Sequence, residues 1–170
     1  MLSAPAGSSP KRGPGGQRGV FLIEALLGIL VFSLGILALV GMQAAAISAQ
    51  SDARYRTEAA NYADRLISNI WLGVDRTSST TIQTSLAAFQ HQNSGSTCSF
   101  SGTASSSTVV SDWVTQVTAA GTGLPGATSA MQRITVNTVA GGYNQVTVTL
   151  CWVAPRTSTT SRHTLVTYVN

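Results

Sequence analysis

Charge is scarce in this 170-residue chain, and the residue types on which catalytic sites depend are almost missing. Charged side chains make up 9% of the residues, and there are two cysteines and two histidines. The sequence has no G-x-S-x-G motif, no glycine-rich phosphate loop and no His/Cys/Asp cluster with metal-ligand spacing. His91 and His163 each lie apart in the sequence from other residues of a catalytic or metal-binding type. The position of Asp112 favours a helix cap over a catalytic group. We therefore expect no enzymatic activity, no cofactor and no metal site.

Basic residues are concentrated at the start of the chain. Lys11, Arg12 and Arg18 are three of the ten basic residues. Residues 20–170 contain the other seven basic residues and all six acidic residues. The formal net charge of +4 is therefore largely a property of residues 1–19. Because binding to nucleic acid needs clustered lysine and arginine, no nucleic-acid partner is expected.

Proline is absent from Val20 to Leu72, so no residue there forces a helix to end. From Val20 to Met42 the residues are apolar or small, with the exception of Glu24. After Gln50 apolar residues recur at spacings of three or four, which is typical of a helix with one buried face. These residues are Tyr55, Ala59, Tyr62, Leu66 and Ile70. We predict one helix of about 80 Å over Val20–Leu72, whose first half must lie in lipid or against other copies.

Glu24 is the one ionisable residue in the apolar run. An acidic residue costs about 2.5 to 3.5 kcal/mol at the centre of a membrane helix and less near the interface, so such a residue indicates a function. Gly28, Gly35 and Gly41 also interrupt the run. Small residues allow close approach of membrane helices, although glycine is also simply common in such segments.

The chain after the long helix predicts a small domain of short helices and strands. Residues 75–111 are rich in serine and threonine, and a short helix around Leu86 interrupts them. Residues 94–108 are predicted to form a loop. A second short helix is predicted to begin where Ser111 or Asp112 can cap it.

Three strands are predicted near the end of the chain from alternating apolar residues, over 132–139, 145–153 and 162–169. The Gly141-Gly142 pair predicts a hairpin turn between the first two. In the second strand one face is apolar and Cys151 lies on the other; the apolar residues are Val146, Val148, Leu150 and Trp152. We expect an α+β fold in which this antiparallel sheet packs onto helix residues 55–71.

The two cysteines, Cys98 and Cys151, are far apart and lack the C-x-x-C spacing of redox or metal motifs. In an exported protein a disulfide between them is the favoured interpretation. A loop of this length would be stabilised by about 4 kcal/mol in the chain-entropy model. Two free buried thiols remain the alternative.

The segment Gln17-Arg18-Gly19-Val20-Phe21-Leu22-Ile23-Glu24 resembles the processing site of type IV prepilins. It joins a basic leader that ends in glycine to an apolar run with a carboxylate at its fifth position. The apolar run and the later Asp64-Arg65-Leu66-Ile67 segment are similar to those of minor pilins of the PilV kind. The chain departs from major pilins at Val20, where those usually have phenylalanine.

The resemblance implies a role for each part of the chain. Residues 1–19 would be a leader that prepilin peptidase removes after Gly19, and the same enzyme would N-methylate the new amine of Val20. Residues 20–50 would be the membrane-spanning and assembly half of the helix, where Glu24 would act in subunit assembly. Residues 51–170 would form a periplasmic pilin domain with a type IV pilin-like α+β fold.

The resemblance also implies partners and a location. The partners would be prepilin peptidase, other minor pilins, the major pilin and, as a further candidate, a large tip adhesin. The chain would sit in the inner membrane through one helix before assembly, and at the cell surface in the pilus afterwards. The three leader bases agree with this orientation, because basic flanking residues stay in the cytoplasm.

Two alternatives remain open from the sequence. A minor pseudopilin of a type II secretion system would share the helix and the cleavage site. A secreted binding module could be released by signal peptidase after Ala44-Ala45-Ala46, which supplies an A-x-A pattern. Against the latter, the apolar run exceeds the usual 7 to 15 residues of a signal peptide and contains Glu24.

Overall fold

The computed structural model describes residues 18–138, 143–155 and 157–170 of the chain. It is an α+β structure with one long N-terminal apolar helix and a small antiparallel sheet, as the sequence predicts. The chain divides into two compact units, one ending at Ile47 and the other running from Ser48 to Asn170. The predicted Gly141-Gly142 turn lies outside the described residues.

Three α-helices and five strands make up the described chain. The helices are α1 (Arg18–Gly73), α2 (Ser79–Ala87) and α3 (Thr108–Thr118). The strands are β1 (Ser94–Ser96), β2 (Ser99–Ser101), β3 (Gln132–Asn137), β4 (Asn144–Val153) and β5 (Thr160–Val169). A 3₁₀ turn, Ser129–Met131, leads directly into β3.

The second half of α1 supplies one wall of the hydrophobic core, as its amphipathic spacing predicts. Ala59, Ala63, Leu66 and Ile70 are fully buried, and Tyr55 and Tyr62 pack against the same core. The polar side of the helix carries the two ion pairs that the i,i+4 spacing favours: Arg54 with Glu58 at 2.9 Å and Arg56 with Asp52 at 2.8 Å. Pairs of this kind on an exposed helix surface contribute little to stability, because water screens them.

The main sheet has the strand order β3-β4-β5, and both pairings are antiparallel. Its inner face meets α1 through side chains of β4 with no exposed area: Val146, Val148, Leu150 and Trp152. The prediction that the sheet packs onto the second half of the long helix is therefore confirmed. Helix α3 joins the same core through Trp113, whose indole Nε1 donates to the carbonyl of Tyr62 at 2.9 Å.

Helix α3 begins one turn earlier than predicted. It starts at Thr108, with Ser107 at the N-cap, instead of at Ser111 or Asp112. The carbonyl of Ser107 accepts from the backbone N–H groups of Val110 and Ser111, and Val110 is fully buried. Burial of this extra apolar side chain favours the earlier start, so Asp112 lies within the helix and does not cap it.

The predicted loop over residues 94–108 contains a short hairpin, β1–β2, which is a second correction. Thr97 and Cys98 form its two-residue turn with φ values of 53° and 64°. Both central residues of a type I′ hairpin turn need positive φ, and Asn-Gly is the usual signal for one. Gly95 has φ 87°, and a Cβ there would lie 2.4 Å from the Ser99 carbonyl oxygen.

The hairpin is attached to the main sheet by a covalent bond and by an arginine. Cys98 in the turn and Cys151 in β4 form a disulfide with a Cα–Cα distance of 5.8 Å. Arg133 of β3 donates from Nη1 to the Gly95 carbonyl at 3.2 Å, and its guanidinium lies 4.5 Å from the centre of the Phe100 ring. These contacts fix a serine-rich segment that could not bury enough apolar surface by itself.

Removal of the disulfide is expected to destabilise the second unit. The two cysteines are 53 residues apart, so the bridge stabilises by about 4 kcal/mol in the chain-entropy model. We expect Cys151→Ser to lower the melting temperature of fragment Ser48–Asn170 by about 10 °C or more. An unaltered melting temperature would show that the bridge contributes little.

The pairing itself can be tested by a tryptic digest without reductant. Cleavage after Arg76, Arg133 and Arg156 separates the two cysteines, so a linked pair of peptides, 77–133 with 134–156, is expected. Quantitative thiol labelling of the folded protein without reductant would contradict the pairing.

His91 is a buried histidine beside the outer edge of β3. Its backbone forms a bridge with Ile134, with N–O distances of 3.0 and 2.9 Å, and its Nδ1 accepts from the Ser105 N–H at 3.2 Å. Burial disfavours the imidazolium and lowers the pKa of His91 below the ordinary 6.5. The unfolded chain therefore binds this proton more readily than the folded one.

This histidine should make the second unit less stable in acid. The free energy of unfolding should fall as the pH drops below 6.5, by at most about 1.4 kcal/mol per pH unit from this group. In His91→Gln the loss of stability between pH 6.5 and pH 5 should be smaller than in the wild type. Urea unfolding of fragment Ser48–Asn170 across this pH range measures the two slopes. Equal slopes for the two proteins would contradict the expectation.

Candidate assembly and processing site

The predicted cleavage bond, Gly19–Val20, lies in the first turn of α1, which begins at Arg18. The structure places the backbone of both residues in the helix. The first four N–H groups of a helix have no partner within it. This turn can therefore unwind at lower cost than an interior turn, as access by a protease would require.

The apolar half of α1 exposes its large side chains in the described structure. The large apolar side chains from Val20 to Ile47 are each at least 45% exposed. By length and composition the helix from Val20 is able to cross a membrane, with a mean hydropathy of 2.6 over its most apolar window. Each large apolar side chain that leaves water contributes about 1.5 to 3 kcal/mol, so this surface strongly favours lipid or other protein.

Glu24 projects from this apolar surface and is exposed. Helix geometry places it one turn after Val20, about 6 Å further along the axis. In the described part of the chain, the ion pairs are those of Arg54 and Arg56, so Glu24 is paired with neither. A carboxylate on an apolar helix surface would be stabilised most by a positive charge that another molecule brings next to it.

Gly28, Gly35 and Gly41 leave open space on the helix surface. Apart from the neighbouring backbone of the helix, a Cβ added at any of the three would meet no atom within 4 Å in the described structure. The space is available to a neighbouring helix, which is the use that small residues have between membrane helices.

The residues considered for catalysis are not brought together. Asp112 lies on α3 and His163 on β5, and they share no hydrogen bond in the described structure. Within residues 18–138, 143–155 and 157–170, no group of three His, Cys, Asp or Glu side chains could hold a metal ion.

Comparisons with models of protein families, with curated proteins and with solved structures found no match. Arguments about function therefore depend on the chain itself.

Sequence reasoning missed the contact between Arg133 and Phe100 that secures the β1–β2 hairpin. The available signal was the isolated aromatic residue Phe100 beside a cysteine in an otherwise polar segment. An aromatic residue in such a segment usually requires a packing partner.

Proposed function

We propose that this chain is a minor pilin of a type IV pilus. In this proposal prepilin peptidase cuts after Gly19 and methylates the amine of Val20, and the mature chain joins or primes the filament. The observation that carries the proposal is helix α1, which is continuous from Arg18 to Gly73. Its first half is exposed and apolar, and its second half lies in the core of a small α+β domain.

The charges at the start of the helix support an assembly role. Cleavage before Val20 would create a positive amine at the end of a hydrophobic helix, with Glu24 one turn away. These two groups on one helix lie too close along the axis for an ideal pair. Glu24 is better placed to meet the amine of a neighbouring subunit. An unpaired carboxylate in an apolar environment is costly, so subunits would favour the one axial register in which Glu24 is paired.

The continuity of α1 argues against release as a secreted module. Ala44-Ala45-Ala46 lies within the helix, which runs on from there to Gly73. A signal peptidase site is normally followed by a separate mature domain instead of the same helix. A minor pseudopilin remains the second candidate, because the exposed apolar helix serves either assembly equally well.

A deletion strain complemented with the chain separates the two candidates. As a minor pilin, the mature chain should appear in filaments sheared from the cells, and its deletion should reduce piliation while protein secretion continues. Loss of secreted enzymes with normal piliation would instead assign it to a type II secretion system. Absence from both filaments and the inner membrane would contradict both proposals.

A further inference from the structure

Strand β5 forms one edge of the main sheet, and its outer side is unpaired in the described part of the chain. It pairs with β4 without interruption, from Thr160 opposite Val153 to Val169 opposite Asn144. Among described residues, the one side chain that donates to its backbone is Asn144, which reaches the Val169 carbonyl at 3.1 Å. The strand therefore presents a straight row of free backbone donors and acceptors.

The opposite edge of the sheet is paired at one point in the described structure. Ile134 in β3 exchanges two backbone hydrogen bonds with His91. Proteins usually protect long edge strands with proline, lysine, a bulge or a covering segment. β5 contains no proline or lysine and its pairing has no bulge. The longer of the two edge strands therefore lacks these forms of protection.

The side chains of β5 offer apolar surface to an additional strand. Val166 and Tyr168 are 45% and 51% exposed on the outer face of the sheet. On the inner face Leu165 is only partly buried against the core. A strand placed next to β5 would cover apolar area on both faces, which adds affinity to its backbone hydrogen bonds.

The charges on this side of the domain select the kind of partner. Arg162 is exposed on β5, and His163 follows it. The whole sequence after Asp112 contains no acidic side chain. A second copy of β5 would bring another arginine and no acid, so pairing between two copies lacks the complementary charge. An acidic segment of a different protein would supply this complementary negative charge.

We propose that the outer edge of β5 binds an extended acidic segment of a partner protein as a fourth strand of the sheet. Backbone hydrogen bonds would provide the pairing, and Arg162 would select a partner with a carboxylate beside it. This inference needs only the second unit of the chain, and it does not depend on the pilin proposal.

Hydrogen–deuterium exchange of the full chain in detergent micelles tests the proposal. The probe is a synthetic ten-residue peptide of alternating valine and threonine in which two threonines are replaced by glutamate. The matched control peptide has lysine at those positions. We expect the glutamate peptide to slow exchange within 160–169 about tenfold, to leave 132–137 unchanged, and to bind better than the lysine peptide.

Charge reversal on the strand provides the specific control. Arg162→Glu should weaken binding of the glutamate peptide about fivefold and favour the lysine peptide, while Arg65→Glu, the same change on an exposed part of α1, should alter neither. The affinity of Arg162→Gln for the glutamate peptide should lie between those of the wild type and Arg162→Glu. This variant shows whether the loss in Arg162→Glu comes from the charge or from a folding defect.

Three results would overturn the proposal. The first is no protection of 160–169 at millimolar glutamate peptide. The second is equal protection by the two peptides, which would remove the acidic preference. The third is protection that grows with protein concentration without peptide, together with dimers in sedimentation, which would make a second copy the occupant.

Discussion

Replacement of Gly19 by valine is expected to leave the chain uncut in the inner membrane. The side chain would enlarge the position immediately before the proposed cleavage bond, where only a hydrogen is present in the wild type. We expect almost no mature protein from Gly19→Val in an immunoblot of membranes from cells that contain prepilin peptidase.

Gly28→Val is the matched control for this experiment. It makes the same change in the same helix, at a position where an added Cβ meets no other atom within 4 Å. It should therefore be processed normally. Normal amounts of mature protein from Gly19→Val would contradict the prepilin proposal.

Replacement of Glu24 by glutamine is expected to permit cleavage and to impair assembly. The change removes the charge and keeps the size and helix propensity of the side chain. Without the carboxylate, the amine of a neighbouring subunit would lose its partner in an apolar environment, where breaking a buried pair costs about 3–5 kcal/mol. Recovery of the variant in sheared filaments, or with the other minor pilins in pulldowns, should fall at least about tenfold.

Glu58→Gln is the control for the assembly experiment, since it makes the same change further along α1. Glu58 pairs with Arg54 on the helix surface, and loss of that solvent-screened pair should have little effect on stability. It should assemble normally. Equal recovery of wild type and Glu24→Gln would refute the proposal that Glu24 sets the axial register between subunits. Glu24 would then act in peptidase binding or at the membrane boundary.

The sequence alone predicts those parts of the fold in which the spacing of apolar residues is regular. The stripe that includes Leu66 and Ile70 predicted the buried face of α1, and the alternation around Leu150 predicted β4 and its inner face. Both patterns reflect burial against a single core, which decides secondary structure more strongly than local propensity.

The parts that sequence reasoning missed depend on contacts between distant residues. The strands β1 and β2 consist mainly of serine, and their Thr-Cys turn lacks the glycine that usually marks a hairpin. Their position depends on the disulfide to Cys151 and on Arg133. The start of α3 was missed because Asp112 is a good cap in isolation, whereas burial of Val110 favours an earlier turn.

The candidate site could be predicted from the sequence only as a set of residues. Gly19, Val20 and Glu24 lie together in the first turns of one helix, so local geometry follows directly from their spacing. Their proposed roles require a peptidase and neighbouring subunits, which are separate molecules. In the described residues Glu24 forms no ion pair, and the chain alone does not show which molecule supplies a partner.

The N-terminus of the mature protein distinguishes a processed prepilin from the other candidates. The protein should be isolated from the membranes of cells that contain prepilin peptidase and its N-terminal peptide analysed by mass spectrometry. We expect a chain that starts at Val20 with a methylated amine. A chain that starts at Ile47, after Ala44-Ala45-Ala46, would contradict this expectation and support a secreted module, and a chain that retains residues 1–19 would contradict processing altogether.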